Sequence, residues 1–266
     1  MTQSSQTRVF AYDSLGRLLS ATNPESGTTT YTYDANGNMI SRTRPTANQT
    51  NPSDTTSTAY YYDTLNRLRS KVYSDPTPTA TYFYDEPSVT LGSWSSGTLK
   101  NTLGRLTHTI TGPSSAPLTA TVEDYDLMGR PADFWQCTPY DCPSSSLAPS
   151  QYKYDLAGDL TDYLTPSNGD CHITTTYNAA ERVTQVNSCT VDEYHPAILG
   201  QFTYTPWGAI STLTDGCTGT GCSGYIETYT YNNRLQPAMI QLGTASNLSS
   251  LSCEVYYYYS VPLPKV

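Results

Sequence analysis

The phrase YDxxGRL keeps returning along this chain of 266 residues. It reads YDSLGRL at Tyr12, YDANGNM at Tyr33, YDTLNRL at Tyr62, YDLMGRP at Tyr125 and YDLAGDL at Tyr154. Looser copies are YNAAERV at Tyr177, YTPWGAI at Tyr204 and YNNRL at Tyr231. Most copies lie 21 to 29 residues apart, so the chain is an array of one supersecondary unit. In the wider interval after Tyr84, KNTLGRL at Lys100 keeps the beat without its tyrosine. Repeat cores are therefore expected near residues 12, 33, 62, 84, 100, 125, 154, 177, 204 and 231, with Tyr259 in phase for one more. No linker interrupts them, and the pattern predicts a single repeat domain over residues 1–266.

Each copy carries the signature of a turn. Asp first and Gly fourth is the preference of a type I turn, in which the Asp side chain accepts from the backbone two residues on. Asp13/Gly16, Asp34/Gly37, Asp126/Gly129 and Asp155/Gly158 fit, and Asp63 opens the same turn. The run before a turn alternates β-branched and aromatic residues, as in Thr28 to Tyr33, which suits a pleated strand. After the turn, Leu68, Ser70 and Val72 are expected to share one face, as are Leu106, His108 and Ile110. The chain is thus all-β, a row of tandem hairpins whose return loops vary in length. Its turn-building residues are Tyr12, Asp13, Gly16, Arg17, Tyr33, Asp34, Gly37, Tyr62, Asp63, Arg67, Tyr125, Asp126, Gly129, Arg130, Tyr154, Asp155 and Gly158.

Composition limits what these hairpins build. Only 37% of residues are hydrophobic, and Tyr supplies 24 against 4 Phe and 3 Trp. Tyrosine has an apolar body and a hydroxyl that seeks a partner, so the expectation is a wall half-buried on each face instead of a thick core. Arginines recur singly at Arg17, Arg67, Arg105, Arg130, Arg182 and Arg234, each just after a turn, and are expected to pair with the Asp of their own or a neighbouring repeat. A net charge of −9 without a basic cluster argues against nucleic acid.

The repeated YDxxGRL phrase resembles the YD repeats of the bacterial RHS (rearrangement hotspot) family, over roughly residues 8–240. The resemblance implies a continuous spiralling sheet, part of a cocoon-like β-shell that encloses a polypeptide toxin or other cargo. Partners would be that cargo or further repeats of the same shell, and the chain would work outside the cell or on its surface. Nine or ten repeats are fewer than a complete shell uses, so a segment of wall is expected, a truncated remnant being a further reading. The DPxGL self-cleavage motif of toxin-carrying members is missing, since Asp75-Pro76 continues as Thr-Pro-Thr, and no protease residues carry over. The family is also associated with carbohydrate, which makes Trp94, Trp135 and Trp207 candidates for stacking on sugar rings.

The seven cysteines all lie beyond residue 136. Cys137 with Cys142, and Cys217 with Cys222, each enclose four residues within a return loop. Cys171 and Cys189 flank the Tyr177 hairpin, and Cys253 is left over. Disulfides, metal and free thiols are the alternatives. His172 beside Cys171 hints at metal, but the spacing is not the CxxC of zinc sites and favours disulfides. Bridges would mean an oxidising compartment, although MTQSSQTRVF carries no apolar signal core. No cofactor, metal or membrane span is expected. GxSxG, HExxH and GxxxxGK[ST] are absent, and His108, His172 and His195 stand at unrelated phases, so no enzyme is expected.

Overall fold

The computed structural model describes residues 2–3, 6–47, 51, 53–165, 171–189, 197–217 and 224–258. Two compact units are present, Met1–Ala148 and Pro149–Val266. In the first, β1 (Thr2–Gln3) pairs with β2 (Gln6–Thr7). Strands β3 (Val9–Tyr12), β4 (Leu18–Asn23), β5 (Gly27–Tyr33), β6 (Met39–Pro45), β7 (Thr55–Tyr62), β8 (Leu68–Tyr73) and β9 (Ala80–Tyr84) then pair each with the next, antiparallel throughout. A short hairpin of β10 (Thr90–Leu91) and β11 (Trp94–Ser95) interrupts the order, and β9 pairs instead with β12 (Leu106–Thr111). Strands β13 (Thr119–Tyr125) and β14 (Pro131–Cys137) follow.

The second unit is a meander of β15 (Ala148–Tyr154), β16 (Leu160–Leu164), β17 (His172–Tyr177), β18 (Val183–Asn187), β19 (Ile198–Tyr204), β20 (Ile210–Cys217), β21 (Tyr225–Tyr231), β22 (Pro237–Thr244) and β23 (Asn247–Val255). Among the described residues there is no α-helix, only a 3-10 turn at Cys142–Ser144. The all-β class and its tandem hairpins follow from the alternating, β-branched strands.

The units differ in how much they bury. Val89, Leu91, Leu99, Ile110, Ala120, Val122, Cys137, Cys142 and Leu147 form one cluster in the first unit, with Phe83, Trp94 and Trp135 packed against it. Among the described residues of the second unit, Leu164 is the one hydrophobic residue that is buried. A sheet with so little apolar cover is held through its hydrogen-bonded ladders and cross-strand pairs. Threonine pairs such as Thr109–Thr121 at 2.7 Å and Thr176–Thr184 at 2.9 Å contribute to these.

Three expectations need correction. The beats at residues 84 and 100 are one repeat, because Tyr84-Asp85 and Leu103-Gly104-Arg105 meet in a single hairpin that residues 86–101 interrupt. The Gly104 N–H donates to the Asp85 carboxylate at 2.5 Å, and the Asp85 N–H to the Arg105 carbonyl at 3.1 Å. Second, Leu68 does not share a face with Ser70, nor Leu106 with His108. Tyr62 pairs with Leu68 while Tyr61 pairs with Ser70, and Tyr84 with Leu106 while Phe83 pairs with His108. The extra residue, Arg69 or Thr107, is a β-bulge that shifts the alternation by one. Third, Arg234 lies inside its turn; Leu235 takes the fourth position at φ 61° and Gln236 the place of arginine.

Candidate functional site

The repeat phrase encodes a turn and a clamp on its neighbour. In the first copy the Gly16 N–H donates to the Asp13 carbonyl at 3.0 Å, the Asp13 N–H to the Arg17 carbonyl at 3.0 Å, and Gly16 has φ 79°. This is a three-residue hairpin loop, a type I turn followed by a left-handed residue. The Asp13 carboxylate accepts the Leu15 and Arg17 N–H groups at 2.9 Å and pairs with Arg17 Nε at 2.7 Å. Arg17, first through its N–H and then through its side chain, holds the Asp13 carboxyl below the usual carboxylate range. Asp63 with Arg67 and Asp126 with Arg130 repeat the pair at 2.7 Å. Asn38 replaces arginine for Asp34, its Nδ2 donating at 2.9 Å. The same main-chain turn is closed by Gly158 on Asp155, Glu181 on Asn178, Gly208 on Thr205 and Leu235 on Asn232.

A bulge follows each turn at the residue paired with the repeat tyrosine. Tyr12 pairs with Leu18, Tyr33 with Met39, Tyr62 with Leu68, Tyr84 with Leu106, Tyr154 with Leu160, Tyr177 with Val183 and Tyr204 with Ile210, and the register shifts by one at every pair. A bulge breaks the ladder locally and leaves polar backbone groups in need of partners. The tyrosine of the next repeat supplies one. Tyr33 Oη donates to the Leu18 carbonyl, Tyr62 to Met39, Tyr84 to Leu68, Tyr125 to Leu106, Tyr177 to Leu160, Tyr204 to Val183 and Tyr231 to Ile210, all at 2.7–2.9 Å.

Arginine reinforces this seam. Arg17 lies 4.9 Å over the Tyr33 ring, Arg67 4.4 Å over Tyr84, Arg105 5.4 Å over Tyr125 and Arg182 5.5 Å over Tyr204. Arg67 also reaches Asp85 of the next repeat at 2.7 Å. The arginines thus engage both their own and the neighbouring repeat. In YDxxGRL, then, Tyr bonds the repeat behind, Asp and Gly shape the turn, Arg stacks on the Tyr ahead, and the last residue offers that Tyr its carbonyl. Sequence reading found the turn but missed the seam. The available signal was the six-residue spacing from the repeat tyrosine to the residue it pairs with, as from Tyr12 to Leu18 and from Tyr62 to Leu68, which the interrupted copy at Tyr84 breaks.

The interrupting segment 86–101 supplies much of the first unit's core. Val89, Leu91 and Leu99 cover Ile110 and Val122 on the sheet, and the Ser93 N–H donates to Ser145 Oγ at 3.2 Å in the loop after β14. His108 is buried beneath this cover, stacked on Phe83 at 4.0 Å, and burial pushes it down to about 4. The Glu86 carboxylate lies 3.2 Å from His108 Nδ1 without hydrogen-bond geometry, and burial raises it.

The other candidate residues are dispersed. Cys137 and Cys142 are bonded, as are Cys171 and Cys189, with Cα separations of 5.1 and 4.9 Å; Cys253 is free and exposed. The third expected bridge, from Cys217 to Cys222, lies outside the described side chains. Cys217 closes β20, but Cys222 lies outside the described residues, as do His195 and Tyr259. Trp94 and Trp135 pack edge to face at 5.8 Å beside the core, while half-exposed Trp207 sits on a turn against Tyr231. Trp94 and Trp135 belong to the first unit and Trp207 to the second. His172 Nδ1 lies 2.6 Å from Asp162, which also pairs with Lys153 at 2.7 Å, and no group of three metal-ligating side chains occurs among the described residues.

Residues 12–49 match the family model for the RHS repeat. No curated protein matches the chain in sequence. Among solved structures, the crystal structure of TcdB2-TccC3 aligns with a TM-score of 0.58 and 13% identity, over 91% of this chain and 14% of that one. The crystal structure of TcdB2-TccC3-TEV gives 0.41 and 15%, over 90% and 13%. The chain therefore spans about one-seventh of the first of these, and the likeness is one of fold. Residues 12–49 thus carry an RHS repeat, and the same bonded turn recurs along the chain as far as Tyr231.

Proposed function

We propose that this chain is a non-catalytic length of wall in a shell that encloses a polypeptide, a single array of repeats running through both units. The observation that carries this reading is the seam, in which the tyrosine of one repeat bonds the bulge of the repeat behind it, so hairpins add one to the next. A fold assembled this way gains surface in proportion to its length and suits enclosure better than a compact catalytic pocket. The fold likeness to TcdB2-TccC3 supports it. The bonded pairs Cys137–Cys142 and Cys171–Cys189 favour work outside a reducing cytosol. Further repeats of the same kind and the enclosed polypeptide are the partners this reading assigns.

The test is protease protection. The chain is co-expressed with the polypeptide encoded next to it or in continuity with it, purified together, and exposed to a broad protease. Slower digestion of that polypeptide than in the presence of an unrelated β-protein is the expected result. Equal digestion rates would overturn the reading.

A further inference from the structure

A cavity of about 980 Å³ in the first unit serves none of the repeat contacts. Its wall includes Ser26, Thr28, Thr29, Tyr31, Arg42 and Arg44. Arg42 and Arg44 are two residues apart on β6, so both side chains leave the same face of the sheet. Across the ladder Arg42 is paired with Tyr31 and Thr58, and Arg44 with Thr56; none of these carries charge. Arg42 Nε is buried with no hydrogen-bond partner. Two other charged groups stand near. Glu25 lines the cavity but accepts from Arg8 Nη2 at 3.1 Å, and Asp75 is held low first by Thr77 and more weakly by Arg44.

A guanidinium N–H taken out of water without an acceptor opposes folding, and natural chains keep such groups where a ligand completes them. The turn arginines Arg17 and Arg130 show the contrast, since each has a carboxylate at 2.7 Å and no buried N–H without a partner. From this geometry we infer that Arg42 and Arg44 form a binding site for a carboxylate-bearing ligand, with the Ser26 and Thr29 hydroxyls beside it. A planar guanidinium fork matches a planar carboxylate, and a second cation on the same face lets one anion bridge both. The volume falls in the range of small-ligand pockets. This inference is independent of the wall reading.

The experiment is calorimetric titration of the full chain with two probes, glutarate and an acetyl-tetra-aspartate amide, together with thermal unfolding. At least one probe binds saturably at one site, and the tighter one tells whether a small acid or an acidic polypeptide is the source. Arg42→Gln and Arg44→Gln each weaken binding about tenfold, and Arg42→Lys, which keeps charge but loses the fork, falls between. Without ligand, Arg42→Gln raises the unfolding midpoint by about 2 °C, because it removes a buried Nε–H that has no acceptor. An arginine with a purely structural role would instead lower it. The assignment is overturned by a lowered midpoint in Arg42→Gln, by binding that both glutamine variants leave unchanged, or by no binding of either probe up to about 10 mM.

Discussion

The Tyr62 hydroxyl donates to the Met39 carbonyl at 2.9 Å, and Met39 is the residue paired with Tyr33, the tyrosine one repeat behind. The contact therefore joins a donor in one repeat to the bulge made by the previous one. Because the bulge arises wherever a three-residue loop closes the hairpin, each turn prepares the acceptor for its successor. The residues that terminate one unit thereby specify the docking of the next.

Leu235 and Glu181 occupy the turn position that glycine holds in most copies, at φ 61° and 56°. A side chain there crowds its own backbone, and glycine does not. Leu235→Gly and Glu181→Gly should each raise stability by about 1 kcal/mol in urea denaturation, while Gly16→Ala, with φ 79° at the same position, should lower it. A loss in both glycine variants would mean that these turns are set by contacts of the side chains.

Excising residues 86–101 would leave Tyr84-Asp85-Thr102-Leu103-Gly104-Arg105-Leu106, a full copy of the phrase. The shortened chain should keep its β circular dichroism and its hairpin, but melt at a lower temperature because Ile110 and Val122 lose the cover of Val89, Leu91 and Leu99. The milder Leu91→Ala should cost about 2–3 kcal/mol. Collapse of the β signal on excision would show that the segment directs the fold.

His108 is neutral in the fold, and burial lowers it from 6.5 to about 4. The unfolded chain takes up a proton that the folded one refuses between those values. Its contribution is thus complete above pH 6.5 and is lost as pH falls toward 4, amounting to at most about 3 kcal/mol. Glu86, Glu123 and Asp124, all raised by burial, act in the opposite sense as pH falls, so the comparison is between the parent chain and His108→Leu. The stability difference between the two should change steeply with pH over that window; a parallel pair of curves would place His108 in water.

Reduction should weaken the chain unequally. Cys171–Cys189 closes a longer loop than Cys137–Cys142, a separation of 18 against 5 residues. Loop-closure entropy gives about 3 kcal/mol for the first and about 2 for the second. Peptide mapping without reductant should recover both pairs, and paired Cys→Ser variants should rank in that order. Recovery of either pair's cysteines in other pairings would contradict it.

Much of the fold was legible because the repeat fixes its own turn. Asp13 and Gly16 sit at positions only a type I turn with a left-handed fourth residue requires, and the strand alternation between turns is unbroken enough to read. The bulges were not legible, since one unpaired residue leaves no mark in a run such as LRSKVY, and alternation read across Leu68 goes out of phase. The split repeat at Tyr84 was hidden for a related reason: its halves are 16 residues apart and the second half resembles a beat of its own. The seam itself depends on which carbonyl a bulge frees, and only the register shows that. Arg42 looked like an ordinary strand residue until its neighbours across the ladder proved uncharged.

The most direct test of the account is a hydroxyl scan. Tyr33, Tyr62, Tyr84, Tyr125, Tyr177, Tyr204 and Tyr231 are changed to Phe one at a time, and Tyr12, whose hydroxyl has no partner among the described residues, serves as the control. Each seam variant should lose about 1 kcal/mol in chemical denaturation and Tyr12→Phe almost nothing. Losses that fail to separate the seven from Tyr12 would contradict the claim that bonded tyrosines hold one repeat to the next.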